Sequence, residues 1–359
     1  MEYSKQEKIL IWLSNFEHLQ SAKVHACLEK FGNAENLYGA ILNCDETIKK
    51  VFGSTFNDIF KNSDWDFIES FIKNLNSSEV YCTTIISKNY PSRLKQIYNP
   101  PINLYYKGDI SLTEGRAIGI VGTRNPTSYG KTITYDFASN LAKAGLVVVS
   151  GLAMGVDKIA HQATLEAKGK TIAVLGSGFN YIYPAINKNL AFEIEKKGLL
   201  ISEYPPQTTP QKFNFPLRNR IVAGLCEGVL LTEAGEKSGT LYTKEYAVEE
   251  GRNVYVVPGN VNSVMSKGTN NLIKNFQGIC VLEFEDILKD MNIQPVSKQE
   301  VLQLTMEEEL IYRIVEKEKT HFEEIANKTQ IPSKNLNSYL TTMTIRGILK
   351  KLPGNYYSI

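Results

Sequence analysis

Several things are scarce in this sequence, and each scarcity excludes a class. Cysteine occurs at only five places in 359 residues (Cys27, Cys44, Cys82, Cys226, Cys280), with no CxxC pair. That argues against a disulfide framework and a zinc site, and leaves buried, reduced thiols as the reading. The four histidines (His18, His25, His161, His321) are dispersed and give no metal-ligand pair, so no metal is expected. No apolar run nears the roughly 20 residues that span a bilayer. The opening MEYSKQEKILIWLSNFEHLQ mixes charge among its apolar residues and offers no small-residue cleavage site. A cytoplasmic protein without a membrane segment is therefore expected. Excess charge is missing as well: 40 Lys and Arg against 38 Asp and Glu leave a net +2. Any polyanionic partner would have to be met by a local patch.

What is present falls into three segments, in a chain long enough for two or three domains. Residues 1–75 read as helices only, with Ile9, Leu10, Trp12, Leu13 and Phe16 at helical spacing and later Phe52, Phe56, Ile59 and Phe60. Phe31-Gly32 followed by Asn33 reads as a helix stop and a new cap. Short helices around such a turn resemble SAM-like or helix-hairpin-helix modules; a packing or dimerisation appendage is an equal reading. Residues 76–290 alternate short β-rich runs with helical stretches: AIGIVG, LVVVS, TIAVLG, LLISEY, GVLLTE and NVYVVPG. Runs so continuously apolar suit parallel strands buried on both faces. The predicted class is α/β, a Rossmann-like doubly wound, mostly parallel sheet. After the polar stretch KDMNIQPVSKQE, read as a linker, residues 300–359 give helix, helix, turn, helix and hairpin, the order of a winged helix.

In open α/β sheets, ligands bind beyond the carboxyl ends of the strands. Here those ends are glycine-rich four times over, and several such loops along one edge suit an extended polyanion or a nucleotide. Gly122, Thr123 and Arg124 follow the first run, Gly151 and Gly155 the second, Gly176 and Gly178 the third, and Ser238, Gly239 and Thr240 a later one. The first loop is not GxGxxG, and Ser150-Gly151 stand where a dinucleotide enzyme needs an acid. No GxxxxGK[ST] occurs either, so neither NAD nor ATP, nor any other cofactor, is expected. Lys212 to Arg220 place three cations and two aromatics in nine positions. Phosphates call for the cations, and unpaired bases for an aromatic face such as Phe215. Candidate contacts there are Lys212, Phe215, Asn219 and one of Arg218 or Arg220, the other being an internal salt bridge. For Phe215, a core aromatic beside Pro216 is an even alternative. Arg124, a cation inside a glycine loop, is the strongest candidate. His161, within helical reach of Asp157, reads as a structural histidine, and no catalytic constellation emerges.

GTRNPTSYG, SGLAMGVD-x3-H, TIAVLGSGFNYIYP, SEYPP, FPLRNRIVAGL, EAGEKSGTLYT and GRNVYVVPGN occur in order over residues 117–260. This series resembles the DNA processing protein A family (DprA, also called Smf). The resemblance implies binding of single-stranded DNA and its delivery to the RecA recombinase during natural transformation. It also implies a homodimer formed through the Rossmann-like domain. Its arginine of the G-[ST]-R loop falls on Arg124, and its K-x-x-F-P lysine and phenylalanine on Lys212 and Phe215. The sequence departs from the family after Gly268-Thr269-Asn270-Asn271-Leu272-Ile273, where Lys274-Asn275-Phe276-Gln277 replaces the usual Gly-Ala pair. The competing class is a nucleotide-binding or nucleotide-hydrolysing Rossmann enzyme, since the centre also resembles phosphoribohydrolases. Their signature ends in Gly-Thr-x-x-Glu, and here Gly239-Thr240 leads to Thr243. In the last segment, residues 300–324 carry eight acidic and three basic residues, and no Asp or Glu follows Ile325. Its cationic end could touch phosphates while its acidic opening repels DNA, and the balance leans to protein docking or an accessory role.

Overall fold

A computed structural model of the chain describes residues 2–16, 19–294, 304–316 and 318–358. His18 and residues 295–300 of the stretch read as a linker lie outside the described residues. The chain forms two compact units, Met1–Val296 and Ser297–Ile359.

The first unit opens with six helices: α1 (Lys5–Leu13), α2 (Ser21–Phe31), α3 (Ala34–Leu42), α4 (Glu46–Phe52), α5 (Thr55–Lys61) and α6 (Trp65–Ser77). The Gly32-Asn33 signal acts as expected. Gly32 ends α2 with a φ of +84°, and the Asn33 side chain accepts from the Asn36 N–H (2.9 Å) to start α3. A nine-stranded sheet follows. Its strands are β1 (Tyr81–Thr84), β2 (Asn103–Gly108), β3 (Ala117–Val121), β4 (Val147–Ser150), β5 (Thr171–Leu175), β6 (Leu199–Ser202), β7 (Gly228–Leu231), β8 (Asn253–Val256) and β9 (Ile279–Cys280). They lie in the order β1-β2-β6-β5-β4-β3-β7-β8-β9, and from β6 to β9 every pairing is parallel. The six expected runs form β3 to β8. The edge pair β1 and β2 was not foreseen; β2 joins both β1 and β6 in antiparallel register.

Seven helices return the chain along the sheet: α7 (Ser128–Lys143), α8 (Val156–Glu166), α9 (Lys188–Lys197), α10 (Asn214–Leu225), α11 (Thr240–Glu249), α12 (Lys267–Lys274) and α13 (Phe284–Asp290). Period-two alternation assigns the faces. Val149, Ile172, Val174 and Leu231 pack on one face with Ile221 and Leu225 of α10. Ile118, Ile120, Val148 and Leu230 pack on the other with Phe137 and Leu141 of α7 and Ala160 of α8. A further apolar cluster joins Trp12, Leu37 and Phe52 of the first helices to Tyr105, Ala173 and Leu200 of the sheet. All five cysteines are free; Cys27, Cys82 and Cys226 are buried, whereas Cys44 is partly so and Cys280 is exposed.

The second unit holds α14 (Met306–Val315), β10 (Thr320–His321), α15 (Phe322–Thr329), α16 (Ser333–Ile345), β11 (Lys350–Leu352) and β12 (Tyr356–Ser358). The expected hairpin β11–β12 gains β10 as a third strand. Ile311, Ile325, Leu336, Leu340 and Met343 form its own core. Two of the cations read as available for phosphates are committed within it. Arg346 reaches both carboxylate oxygens of the buried Glu308 at 2.9 Å, and Lys328 pairs with Glu324 at 2.7 Å.

His161 sits on α8, fully buried, and its partner is not Asp157 but Thr171 on β5. The Thr171 hydroxyl spends its proton on the Val148 carbonyl (2.7 Å), so His161 Nδ1–H must donate to it (2.7 Å). Nε2 therefore carries no proton, and it has no partner among the described residues. Burial, with the Arg218 charge adding, pushes the imidazole pKa down to about 3. Between pH 6.5 and 3 the unfolded chain binds a proton that the folded chain refuses, so stability is lost as the pH falls through that window. Below pH 6.5 this group should cost on the order of 1.4 kcal/mol per pH unit. Urea unfolding of wild type and His161→Gln at pH 7.5 and pH 5 should show the smaller acid loss in the variant; parallel losses would refute it.

Candidate nucleic-acid interface

Strand order places the loops after β6, β5, β4, β3 and β7 side by side along the carboxyl edge. Four strand spacings of roughly 4.8 Å give this row a length of about 19 Å. Connections run to opposite sides of β3 and β7, so the crevice of the topological switch point opens between their loops.

The loop after β3 is clamped at both ends by Glu233, the buried residue that follows β7. Thr123 N–H donates to the Glu233 carbonyl (2.7 Å). Thr127 N–H and its hydroxyl each donate to the Glu233 carboxylate (2.8 Å). Thr127 also caps α7, accepting from Gly130 N–H at 3.1 Å. From the other side the loop rests on Gly155, whose φ is +78° and where a Cβ would come within 2.6 Å of the Arg124 backbone. Backbone held from both sides leaves the Arg124 side chain exposed, with no hydrogen bond or ion pair among the described residues.

Part of the expected cradle of N–H groups in the glycine loops is already spent within the protein. Thr123 N–H is spent on Glu233, and Gly151 N–H on Asp157 Oδ2 (3.1 Å). Gly122, Gly151 and Gly155 serve close packing instead. A Cβ on Gly122 would meet the Glu233 carbonyl at 2.8 Å, and one on Gly151 would meet the Arg218 guanidinium.

One of Arg218 and Arg220 was expected as an internal salt bridge, and Arg220 is one; Arg218 is buried as well. Arg218 is 4% exposed and donates Nη1 to the carbonyls of Gly151 and Val174, while Nε reaches Asn219 Oδ1 at 3.1 Å. Burial lowers its pKa to about 10, so it stays charged at neutral pH. Asp157 lies in its field, and burial raises that carboxyl despite the attraction. Asn219 is thereby a support for Arg218. Arg220 is 7% exposed and gives Nη2 to Glu203 Oε1 at 2.6 Å. Both side chains are buried although they leave α10 about 200° apart, because this helix is covered on more than one side.

Lys212, just before α10, is exposed and has no ion pair among the described residues. Phe215 is partly buried, its ring over Gly176, where a Cβ would lie 2.6 Å from it. Its centroid is 5.4 Å from that of Tyr183, at 45°. Tyr183 is half-exposed, and the two rings form one aromatic step beside the loop after β5. Thr240 is buried and its amide bonds Ser238 Oγ (3.3 Å), whereas Gly239 is exposed. Sequence reasoning missed Tyr183, Glu233 and Lys237. Tyr183 stood in the quoted motif TIAVLGSGFNYIYP, and Lys237, exposed in the loop after β7, stood in EAGEKSGT. Nothing marked Glu233 as a clamp, which needs three dimensions to see. Among the described residues no group of acids, histidines and cysteines could hold a metal ion, and no helix is long and apolar enough to cross a membrane.

The family model described as DNA recombination-mediator protein A matches residues 81–292. The DNA processing protein DprA of Bacillus subtilis (strain 168) is 47% identical over 209 residues, covering 58% of this chain and 70% of that one. That of Streptococcus pneumoniae (strain ATCC BAA-255 / R6) is 44% identical over 191 residues, 53% of this chain and 67% of the other. Among solved structures, DNA processing protein A from Streptococcus pneumoniae superposes with a TM-score of 0.66 at 33% identity, covering 81% of this chain and 99% of that chain. A Helicobacter pylori structure, described as giving the single-stranded DNA binding mode of DNA processing protein A, superposes at 0.54 and 33% identity. It covers 59% of this chain and 95% of that one. With the family model spanning the parallel sheet and every loop of its carboxyl edge, the chain belongs to the DNA recombination-mediator protein A family.

Proposed function

We propose that the carboxyl edge of the sheet binds single-stranded DNA, and that the bound strand is passed to the RecA recombinase during natural transformation. The observation that carries this is two exposed cations without an ion pair among the described residues, Arg124 and Lys212, on loops near the aromatic step of Phe215 and Tyr183. Phosphates meet Arg124, Lys212 and the exposed Gly239 turn, and an unpaired base stacks on the aromatic step. Duplex bases are already stacked and cannot use it. The Helicobacter pylori protein, described as binding single-stranded DNA, supports the reading through shared fold and sequence.

Within this scheme residues 1–75 are a SAM-like or helix-hairpin-helix module, 76–290 the Rossmann-like DNA-binding domain, and 300–359 a winged helix serving as an accessory or docking module. The protein acts in the cytoplasm as a homodimer formed through the Rossmann-like domain. The β9 edge supports that assembly, because Phe276 (95% exposed), Leu282 (71%) and Ile279 (43%) put apolar surface beside a strand whose outer edge has no partner among the described residues. Two DNA sites in one dimer raise avidity on a long strand through effective concentration.

Fluorescence anisotropy of labelled oligo-dT across a salt series, beside an equal-length duplex, tests the core claim. Tight, salt-sensitive, strand-selective binding is expected. Arg124→Glu should weaken it severely and reduce the slope of log K against log salt by about one; unchanged affinity would leave the loops purely structural. Phe215→Ala should cost roughly 1–3 kcal/mol, about 5- to 150-fold, on single strands and little on duplex. Equal loss on both would contradict stacking. Leu282→Lys should convert the dimer to a monomer in sedimentation, and an unaltered mass would place the interface elsewhere.

A further inference from the structure

Charge is divided unevenly within the second unit. Helices α14 and α15 carry Glu307, Glu308, Glu309, Glu323 and Glu324, whereas after Ile325 the chain has no Asp or Glu and five Lys or Arg. Lys328 and Arg346 are committed to Glu324 (2.7 Å) and Glu308 (2.9 Å). Lys334 on α16 and Lys350 and Lys351 on β11 are exposed and have no ion pair among the described residues. The free positive charge thus lies on one helix and on the hairpin that follows it.

That helix also has an outer face in which hydrogen-bonding groups stand idle. Leu336, Leu340 and Met343 are its buried residues. At about 100° per residue the opposite face carries Lys334, Ser338, Thr341 and Ile345, all of them exposed. Asn335, Asn337 and Thr342 flank this stripe and are exposed as well, and neither Asn amide makes a hydrogen bond among the described residues. Thr341 donates its hydroxyl proton to the Asn337 carbonyl (2.7 Å), which leaves it an acceptor and a methyl to present. The helix opens on Pro332 without a side-chain cap, and the N–H groups of Ser333 and Lys334 take no partner among the described residues.

We infer that α16 and the β11–β12 hairpin form a second nucleic-acid site, which takes duplex DNA with α16 in the major groove. The inference rests on the winged-helix reading of residues 300–359 proposed above and names what that accessory module docks on. A helix roughly 10–12 Å across fits a groove about 12 Å wide. Asn amides pair with base edges there, Ser and Thr hydroxyls donate or accept, and threonine methyls meet those of thymine. The free N–H groups at the helix start take a backbone phosphate, and Lys350 and Lys351 on the wing take others. Single strands find little to stack on. No aromatic of α16 is exposed, and Tyr356 on the wing has its ring against His321, with centroids 5.1 Å apart. A protein partner would need an apolar centre to the patch, and Ile345 alone supplies one on the outer stripe.

Fluorescence anisotropy of the full chain with a labelled mixed-sequence duplex and with oligo-dT tests the assignment. The duplex should bind, more weakly than the single strand, and Lys334→Glu should weaken it about tenfold while leaving oligo-dT within about twofold of wild type. Lys350→Ala combined with Lys351→Ala, on a different element so that one misfolded variant does not decide the matter, should lower the duplex slope of log K against log salt by about two. A duplex left unbound by wild type at low salt, or bound with unchanged affinity by both variants, would overturn the second site and leave the single-strand reading standing. Equal loss of oligo-dT and duplex in Lys334→Glu would overturn the choice of duplex. Duplex binding that responds to Lys334→Glu, in a protein that does not bind oligo-dT, would uphold the second site and sink the single-strand reading instead.

Discussion

The guanidinium of Arg218 lies under the Gly151 loop, donating to the ends of two neighbouring strands and facing the buried carboxyl of Asp157. Asp157 in turn accepts the N–H groups of Gly151 and Ala153, so hydrogen bonds from both side chains tie α10, the loop after β4 and the start of α8 together. Gly151 is glycine because that guanidinium occupies the space a side chain would need. The loop after β3 then leans on the loop after β4 through Gly155, and Glu233 holds its far side. Arg124 owes its exposed position to this succession of contacts.

The three arginines of the edge divide into two kinds that composition cannot separate. Arg218 and Arg220 sit on a helix covered on more than one side, and each meets an internal partner. Arg124 sits on a loop whose backbone is so fully bonded that its side chain is left over for solvent. A net charge of +2 is thus compatible with a binding edge. What matters is which cations lack partners, and among the described residues Arg124 and Lys212 have none.

Much of this was legible in the residues. The six apolar runs became β3 to β8 because strands buried on both faces need no alternation, and that pattern is hard to mistake. The edge strands β1 and β2 escaped notice because Tyr81-Cys82-Thr83-Thr84 and Asn103-Leu104-Tyr105-Tyr106 mix polar and aromatic residues. They read as strands only once β6 is there to receive them. Arg124 and Lys212 are both exposed, since a glycine loop and a pre-helix turn give a charge nowhere to hide. The fates of Arg218, Arg220 and the glycine N–H groups depended on contacts between loops far apart in sequence, such as Glu233 with Thr127. Phe215, for which a stacking face and a core aromatic are even readings of the sequence, is a ring partly sunk over Gly176 and 5.4 Å from that of Tyr183.

The apolar cluster that joins Trp12 and Phe52 to Tyr105 and Leu200 has a bearing on inheritance and on engineering. Where a module is tethered by a linker, it can be exchanged among relatives like a cassette. Here the first helices supply half of a shared interior, and a chain deprived of them would present bare sheet to water and associate through it. Recombination within this lineage that cut near residue 75 would have to bring a matching sheet face along with the new helices. The two have to vary as one inherited block.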